Sequence, residues 1–170
     1  LVDSHPDAKA IGNDIDEMEE MIDAYLAFAA GEGEEQPQET DVAGLLERLV
    51  KQAQKTHKFD ISFRPPSTSI PLFPVRKNAI QRAFSNIISN AIRYSTKTIV
   101  SLRVHNDEVI CSFDDNGAGI PEERRQDAIR PFIRLEESRN RRTGGAGLGL
   151  SITSDIAVSY THLTLPTTLQ

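Results

Sequence analysis

The chain has 170 residues, 38% of them apolar, which suits one ordinary domain plus an appendage. Its 25 acids against 19 bases give a net charge of −6, so the chain as a whole is not a polyanion binder, although Arg139, Arg141 and Arg142 cluster locally. One cysteine, Cys111, excludes a disulfide framework or a cysteine-rich zinc site. No run approaches the roughly 20 apolar residues of a membrane span, and no signal peptide pattern is present. With Leu1 in place of methionine, the sequence reads as a soluble, reducing-compartment fragment whose upstream part is missing.

From Asp7 to Ala30, apolar positions recur at Ala8, Ile11, Ile15, Met18, Ile22, Tyr25 or Leu26, and Ala29. These alternating steps of three and four are the heptad spacing of a coiled coil or helical bundle. Asp14, Asp16, Glu17, Glu19 and Glu20 fill the other face. Such a helix packs either on its own domain or, as the spacing favours, on a second chain or a missing hairpin partner. The acidic stretch Gly31–Glu39, "GEGEEQPQE", has linker composition and marks a domain boundary.

Beyond it, "TDVAGLLERLVKQAQKT" reads as a helix capped by Thr40 or Asp41. "FDISF" alternates as a strand, "SIPLFP" is a short extended piece, and Val75–Ser95 is a long helix. "KTIVSLRV" and "EVICSFD" form a hairpin around Asn106-Asp107, and Pro121 opens a short helix, "PEERRQDAI". An arginine-rich loop, a glycine run and a helix near Leu148–Ile156 follow. This order predicts an α+β fold, a sheet covered by helices on one face. The last thirteen residues, from Val158, contain no Asp, Glu, Lys or Arg and look foreign to the domain.

Three stretches carry candidate chemistry. On the long helix, Val75, Ala79, Ala83, Phe84, Ile87, Ile88, Ala91 and Ile92 make an apolar face. Asn86, Asn90 and Arg93 share a stripe on the other face, flanked by Tyr94. Two amides there are poor choices for plain solubility, and an amide oxygen suits Mg²⁺. In "DDNGAGIP", Asp115 at a strand end offers a carboxylate acceptor, and Gly117 and Gly119 permit a sharp turn and close approach of a flat ligand. A calcium loop is excluded, because Ala118 and Arg125 fall where ligands are required. In "TGGAGLGLSI", Gly145, Gly147 and Gly149 run into a helix start, an anion site suited to phosphate. It is neither the Gly-Lys-Ser/Thr loop nor the dinucleotide fingerprint.

Taken in order, with Asp115 25 residues after Asn90, these stretches resemble the catalytic ATP-binding domain of sensor histidine kinases of two-component systems, in the Bergerat-fold superfamily. "NIISNAIRYS" is similar to the N box, "DDNGAGIP" to the G1 box, "PFIRLEESRN" to the F box and "GGAGLGL" to the G2 box. The heptad helix and acidic linker resemble the second dimerisation helix of EnvZ-like osmosensing kinases. The resemblance implies a Bergerat-type α/β sandwich with ATP and Mg²⁺ as ligands. Asp115 would accept from the adenine amino group, with Gly117, Gly119 and Ile120 against the purine. Asn90 would ligate Mg²⁺, with Asn86 beside it as a second candidate. Arg93 would face the phosphates and Tyr94 the adenine pocket. Phe132 would anchor the lid over ATP, Arg139 and Arg142 would be lid cations for the γ-phosphate, and Gly145, Gly147, Leu148 and Gly149 would form the triphosphate turn. It also implies a homodimer, a cognate response regulator, no nucleic-acid partner, and a cytoplasmic position in a bacterial inner-membrane protein anchored through missing upstream segments.

Two departures stand beside this. His5, His57, His105 and His162 all lack the His-Glu/Asp-x-Arg-x-Pro context of the phosphoacceptor, so no catalytic histidine is expected on this chain. The family continues past the G2 helix with a Gly-Gly turn and two strands, and "VSYTHLTLPTTLQ" matches neither, so the C-terminal part of the sheet is expected to be missing. The expected organisation is a partial dimerisation hairpin at 1–30, a linker at 31–39, a truncated catalytic domain at 40–157 and a non-native tail at 158–170. The rival functions are a hydrolytic relative of the gyrase, chaperone or mismatch-repair type, and a non-catalytic dimerisation module. Hydrolytic members place a general-base Glu where this chain has Asn86, which cannot take a proton from water.

Overall fold

The computed structural model describes residues 15, 22, 35–105, 108–135 and 147–159. Of the heptad positions, Ile15 and Ile22 are helical and exposed, at 50% and 53%; the others lie outside the described residues.

The first described helix, α1 (Val42–His57), begins where its sequence supplies a cap: Asp41 is extended and its Oδ1 accepts the Gly44 N–H at 2.8 Å. Its buried face, Val42, Leu45, Leu46, Val50 and Ala53, follows the helical repeat. It ends at Lys58, whose left-handed backbone (φ 51°) closes the C-terminus. Strand β2 (Asp60–Arg64) follows, then β3 (Phe73–Val75) and the long helix α2 (Lys77–Tyr94).

Strands β4 (Lys97–His105) and β5 (Glu108–Asp115) form the expected antiparallel hairpin, from His105 opposite Glu108 to Thr98 opposite Asp115. On the other side of β4, β2 runs parallel, with Ile61 opposite Thr98 and Phe63 opposite Val100. The sheet is therefore mixed, in the order β2-β4-β5. Along β4, Thr98, Val100 and Leu102 are buried while Arg103 is exposed, so one face is covered. The cover comes from α1, α2 and the last helix, α4 (Gly149–Ser159), through Leu46, Val50, Ile80, Phe84, Ile88, Ile152 and Ile156. Phe84 also meets Phe113 of β5, ring centroids 5.9 Å apart and tilted by 49°. The α+β architecture, with helices on one face of a mixed sheet, is the expected one.

Two details differ from the sequence reading. Residues Gln38–Thr40, the end of the acidic linker stretch and its boundary, form a strand β1 antiparallel to β3, so Val75 belongs to a strand and not to the long helix. The piece after Pro121 is a 3-10 turn at Glu122–Arg124 leading into a single helical turn, α3 (Arg125–Ala128). Neither change disturbs the sheet.

Candidate functional site

The packing of α2 decides which of its side chains remain available. Ala79, Ile80, Ala83, Phe84, Ile88 and Ala91 turn to the core. Asn86 and Asn90, one turn apart, are half-buried, while Arg93 and Tyr94 are exposed at the C-terminal end, the guanidinium 6.0 Å from the Tyr94 ring centre. The Asn86 amide nitrogen donates to the Gly149 carbonyl at 3.2 Å, which ties α2 to the start of α4. With that nitrogen committed, any metal ligation by Asn86 falls to its oxygen.

The Asp114–Pro121 stretch leaves β5 and folds back against the end of α2. Asp115 Oδ1 accepts the Gly117 N–H at 2.7 Å, closing an Asx-type turn. A Cβ on Gly117 would lie 2.6 Å from the Tyr94 carbonyl oxygen, so the approach of the two segments admits only glycine. Gly119 is left-handed, φ 71°, and half-buried Ile120 accepts from Arg125 Nε at 3.3 Å through its carbonyl.

The glycine run is described from Gly147 onward. Phe132, 57% exposed, has a left-handed backbone at φ 63°, a strain that concentrates at functional positions, and its N–H donates to the Gly147 carbonyl at 3.2 Å. Gly147 is itself left-handed, and a Cβ there would meet the Phe132 carbonyl carbon at 3.1 Å. Leu148 is buried in the core, so it supports the turn from within. From Gly149 the chain is helical, and the unpaired N–H groups of the first turn give α4 a positive end. Thr153 Oγ1 donates to the Gly149 carbonyl at 2.8 Å and lies 3.5 Å from the Ala83 carbonyl, a further tie to α2. Arg139, Arg142 and Gly145 lie outside the described residues.

The four sequence boxes are thus joined in space, each time through a backbone group: the Asn86 side chain to the Gly149 carbonyl, Gly117 against the Tyr94 carbonyl, and the Phe132 N–H to the Gly147 carbonyl. One residue that sequence reasoning passed over belongs with them. Asn116 Oδ1 accepts the N–H groups of Thr96 and Lys97 at 3.0 and 2.9 Å, and its Nδ2 donates to Thr96 Oγ1 at 2.9 Å. Only its adjacency to the two aspartates in "DDNG" hinted at it.

The donor set fits a nucleotide with its magnesium. Among the described residues no group of three His, Cys, Asp or Glu side chains gathers as a metal site. Neutral amide oxygens suit Mg²⁺ when phosphate oxygens and water complete the shell. A cleft of about 420 Å³ elsewhere is lined by Asp41, Gly44, Glu47, Lys51 and Phe63. Its acids are already engaged, Asp41 capping α1 and Glu47 pairing with Lys51 at 2.8 Å, so it offers no comparable constellation.

A profile of the family described as histidine kinase-, DNA gyrase B- and HSP90-like ATPase matches residues 76–168, more than half of the chain. The chain belongs to this ATPase family. Among its relatives, the sensor histidine kinase CpxA of Escherichia coli K12 is 46% identical over 76 residues, 44% of this chain and 17% of CpxA. The sensor protein RstB of the same strain is 30% identical over 165 residues, covering 92% of this chain and 37% of RstB. The histidine kinase domain of the E. coli osmosensor EnvZ superposes with a TM-score of 0.56 at 26% identity, over 77% of this chain and 80% of that domain. Sequence and fold together make this a histidine-kinase-type ATPase domain of the sensor-kinase class. The chain spans well under half the length of the two curated sensor kinases. No helix among its described residues is long and apolar enough to cross a membrane.

Proposed function

We propose that this domain binds Mg²⁺–ATP and, in a full-length sensor kinase, presents the γ-phosphate to a histidine on a dimerisation helix, for onward transfer to a response-regulator aspartate. The observation that carries the reading is the joining of Asn86, the Asp115–Gly117 turn, Phe132 and the Gly147–Gly149 turn around the C-terminal half of α2. Bound Mg²⁺–ATP supplies the transferable phosphoryl group. The chain supplies recognition and orientation. Asp115, with one carboxylate oxygen held by Gly117, accepts from the adenine amino group, beside Gly119 and Ile120. Asn90 would ligate Mg²⁺ through its amide oxygen, with Asn86 beside it as the second candidate. Arg93 faces the phosphates and Tyr94 the base. Gly147 and Gly149, together with Gly145 by the motif, would offer backbone N–H groups to phosphate oxygens, with Leu148 packed beneath; Phe132 would anchor the lid, and Arg139 and Arg142 would be its cations for the γ-phosphate.

The proposal extends to the setting of the parent protein: a phosphorelay homodimer on the cytoplasmic side of a bacterial inner membrane, held there by upstream segments. Its domains would be a dimerisation helix at 1–30, a linker at 31–39 whose last residues, Gln38 and Glu39, pair in β1, the catalytic domain at 40–157, and an extraneous tail from 158 whose first two residues, Val158 and Ser159, still belong to α4. The hydrolytic alternative is disfavoured at Asn86. An amide cannot accept a proton from water, and its nitrogen already donates to Gly149.

Titration with a fluorescent ATP analogue, competed with ATP and GTP, tests the reading. ATP binding should require Mg²⁺ and be tighter than GTP binding, and Asp115→Asn should weaken it by about 1–3 kcal/mol. Equal affinity for the two nucleotides removes Asp115 as base reader. With radiolabelled ATP the chain alone should acquire no acid-labile phosphate, while an acceptor-helix domain of its parent, added separately, should become labelled. Label on the chain itself would make one of His5, His57, His105 or His162 an acceptor.

A further inference from the structure

The carboxylate of Asp115 is aimed by a chain of contacts that starts outside the turn. The β4–β5 ladder fixes the Asp115 backbone opposite Thr98, and the Asn116 N–H extends that pairing by one bond, to the Lys97 carbonyl at 3.1 Å. Past that point the ladder stops. What holds the next residue is the Asn116 side chain, inserted into the corner between α2 and β4. The atom that accepts from both the Thr96 and Lys97 N–H groups must be the amide oxygen, because backbone N–H groups only donate, and this fixes the other atom as the nitrogen donating to Thr96 Oγ1. With Asn116 stapled there, Gly117 lies against the Tyr94 carbonyl, and its N–H holds Asp115 Oδ1 at 2.7 Å.

We propose that Asn116 is the positioning residue that sets the Asp115 carboxylate against the end of α2, and that the purine selectivity of the site depends on it through this amide staple. The inference rests on the nucleotide reading above. Asn116 does not touch the ligand; it acts through Gly117 and Asp115. Without the staple, the corner N–H groups turn to water, the turn relaxes, and Asp115 samples rotamers in which its free oxygen no longer meets an amino group. A purine carrying a carbonyl at that position then suffers less discrimination. Asn116→Asp would preserve the staple. Its carboxylate still accepts both backbone N–H groups, and the Thr96 hydroxyl, already 3.3 Å from Asn116 Oδ1, turns to donate.

The test uses the full chain and its Asn116→Ala and Asn116→Asp variants, with ATP and GTP affinities from competition against a fluorescent ATP analogue. Amide exchange at Thr96 and Lys97 is followed by NMR. Asn116→Ala should lose ATP affinity by about tenfold and GTP affinity by much less, so that the ATP/GTP ratio falls at least about threefold. Exchange at Thr96 and Lys97 should accelerate. Asn116→Asp should keep both ratio and protection within about twofold of the parent. A merely structural role would lower stability and both affinities together, leaving the ratio intact; that result overturns the inference. If Asn116→Ala does not fold, Asn116→Ser, whose shorter side chain does not span both N–H groups, is read by the same ratio. A parent chain that discriminates ATP from GTP beside an undiminished ratio in the variant sinks this inference alone. A parent chain that binds neither nucleotide sinks the nucleotide reading and this one with it.

Discussion

Two glycines of the site differ sharply in what they tolerate. At Gly117 an added Cβ would meet the Tyr94 carbonyl oxygen at 2.6 Å, and backbone cannot step aside as a flexible side chain would. Gly117→Ala should therefore lower the urea-unfolding free energy by about 1–3 kcal/mol, with nucleotide binding lost alongside it. At Gly149 the nearest atom to a new Cβ is Asn86 Cβ at 3.7 Å, ordinary contact, and the residue is helical. Gly149→Ala should keep or raise stability, by up to about 1 kcal/mol from helix propensity. Loss of ATP binding without loss of stability in that variant would identify close phosphate approach as the reason for glycine. Cys111 gives the pH response at this scale. Its residue surface is partly exposed, but burial of the thiol pushes its pKa up to about 12. The protonated form is favoured by the folded state, so its contribution is complete below the unfolded thiol value of roughly 8.5 and is lost as pH climbs from there toward about 12. Urea midpoints of the parent should fall more between pH 8 and pH 10 than those of Cys111→Ala, and iodoacetamide should react slowly at pH 8 without denaturant.

At the scale of elements, the start of α2 shows a cap that no local pattern announces. Arg76 occupies the N-cap position without a side-chain cap. Glu35, 43 residues away from Asn78, supplies one: its two carboxylate oxygens accept the Asn78 and Ala79 N–H groups at 2.8 and 3.2 Å. Glu35→Ala should cost about 1 kcal/mol in chemical unfolding, and Glu35→Gln less, since its amide oxygen still accepts. An unchanged midpoint would show that water caps the helix as well. The same region explains what the sequence made legible. Helices α1 and α2 and the β4–β5 hairpin stand out because each runs long enough for its apolar period to show. Strands β1 and β3 have three residues each, one of them Pro74, and their pairing joins positions distant in the chain, so no periodic signal marks them. The site divides in the same way. Its motif side chains, Asn86, Asn90, Asp115 and the glycines, could be named from their spacing, whereas the groups that join them, the carbonyls of Tyr94, Gly147 and Gly149, exist in every residue and carry no sequence mark. Leu148 shows the converse: it sits within a motif, yet burial assigns it to the core.

At the scale of the molecule, the residues joined at the candidate site and the heptad positions read from the sequence lie in different parts of the chain. Every contact that joins the four boxes falls between Ala83 and Thr153, within the helical layer and the turn beyond β5. The heptad residues lie before residue 31. Of these, Ile15 and Ile22 are seven apart, close to two helical turns, so they share one face, and both are about half exposed at 50% and 53%. The heptad reading of the sequence makes burial of this stripe against that of a second copy the expectation, in a four-helix bundle when a preceding helix is present on each chain. Replacing both Ile15 and Ile22 by Asp should then convert a dimer carrying that preceding helix to a monomer in light scattering. Each buried isoleucine exchanged for a charge removes about 1.5–3 kcal/mol of apolar burial and adds the cost of desolvating a carboxylate. ATP affinity per chain should be unchanged, because no part of the site is touched. A dimer that persists would place its interface elsewhere, and β5, which pairs only with β4 among the described residues, is the edge to examine next. A monomer that has also lost ATP binding would mean that assembly and nucleotide recognition are coupled, contrary to the separation argued from these contacts.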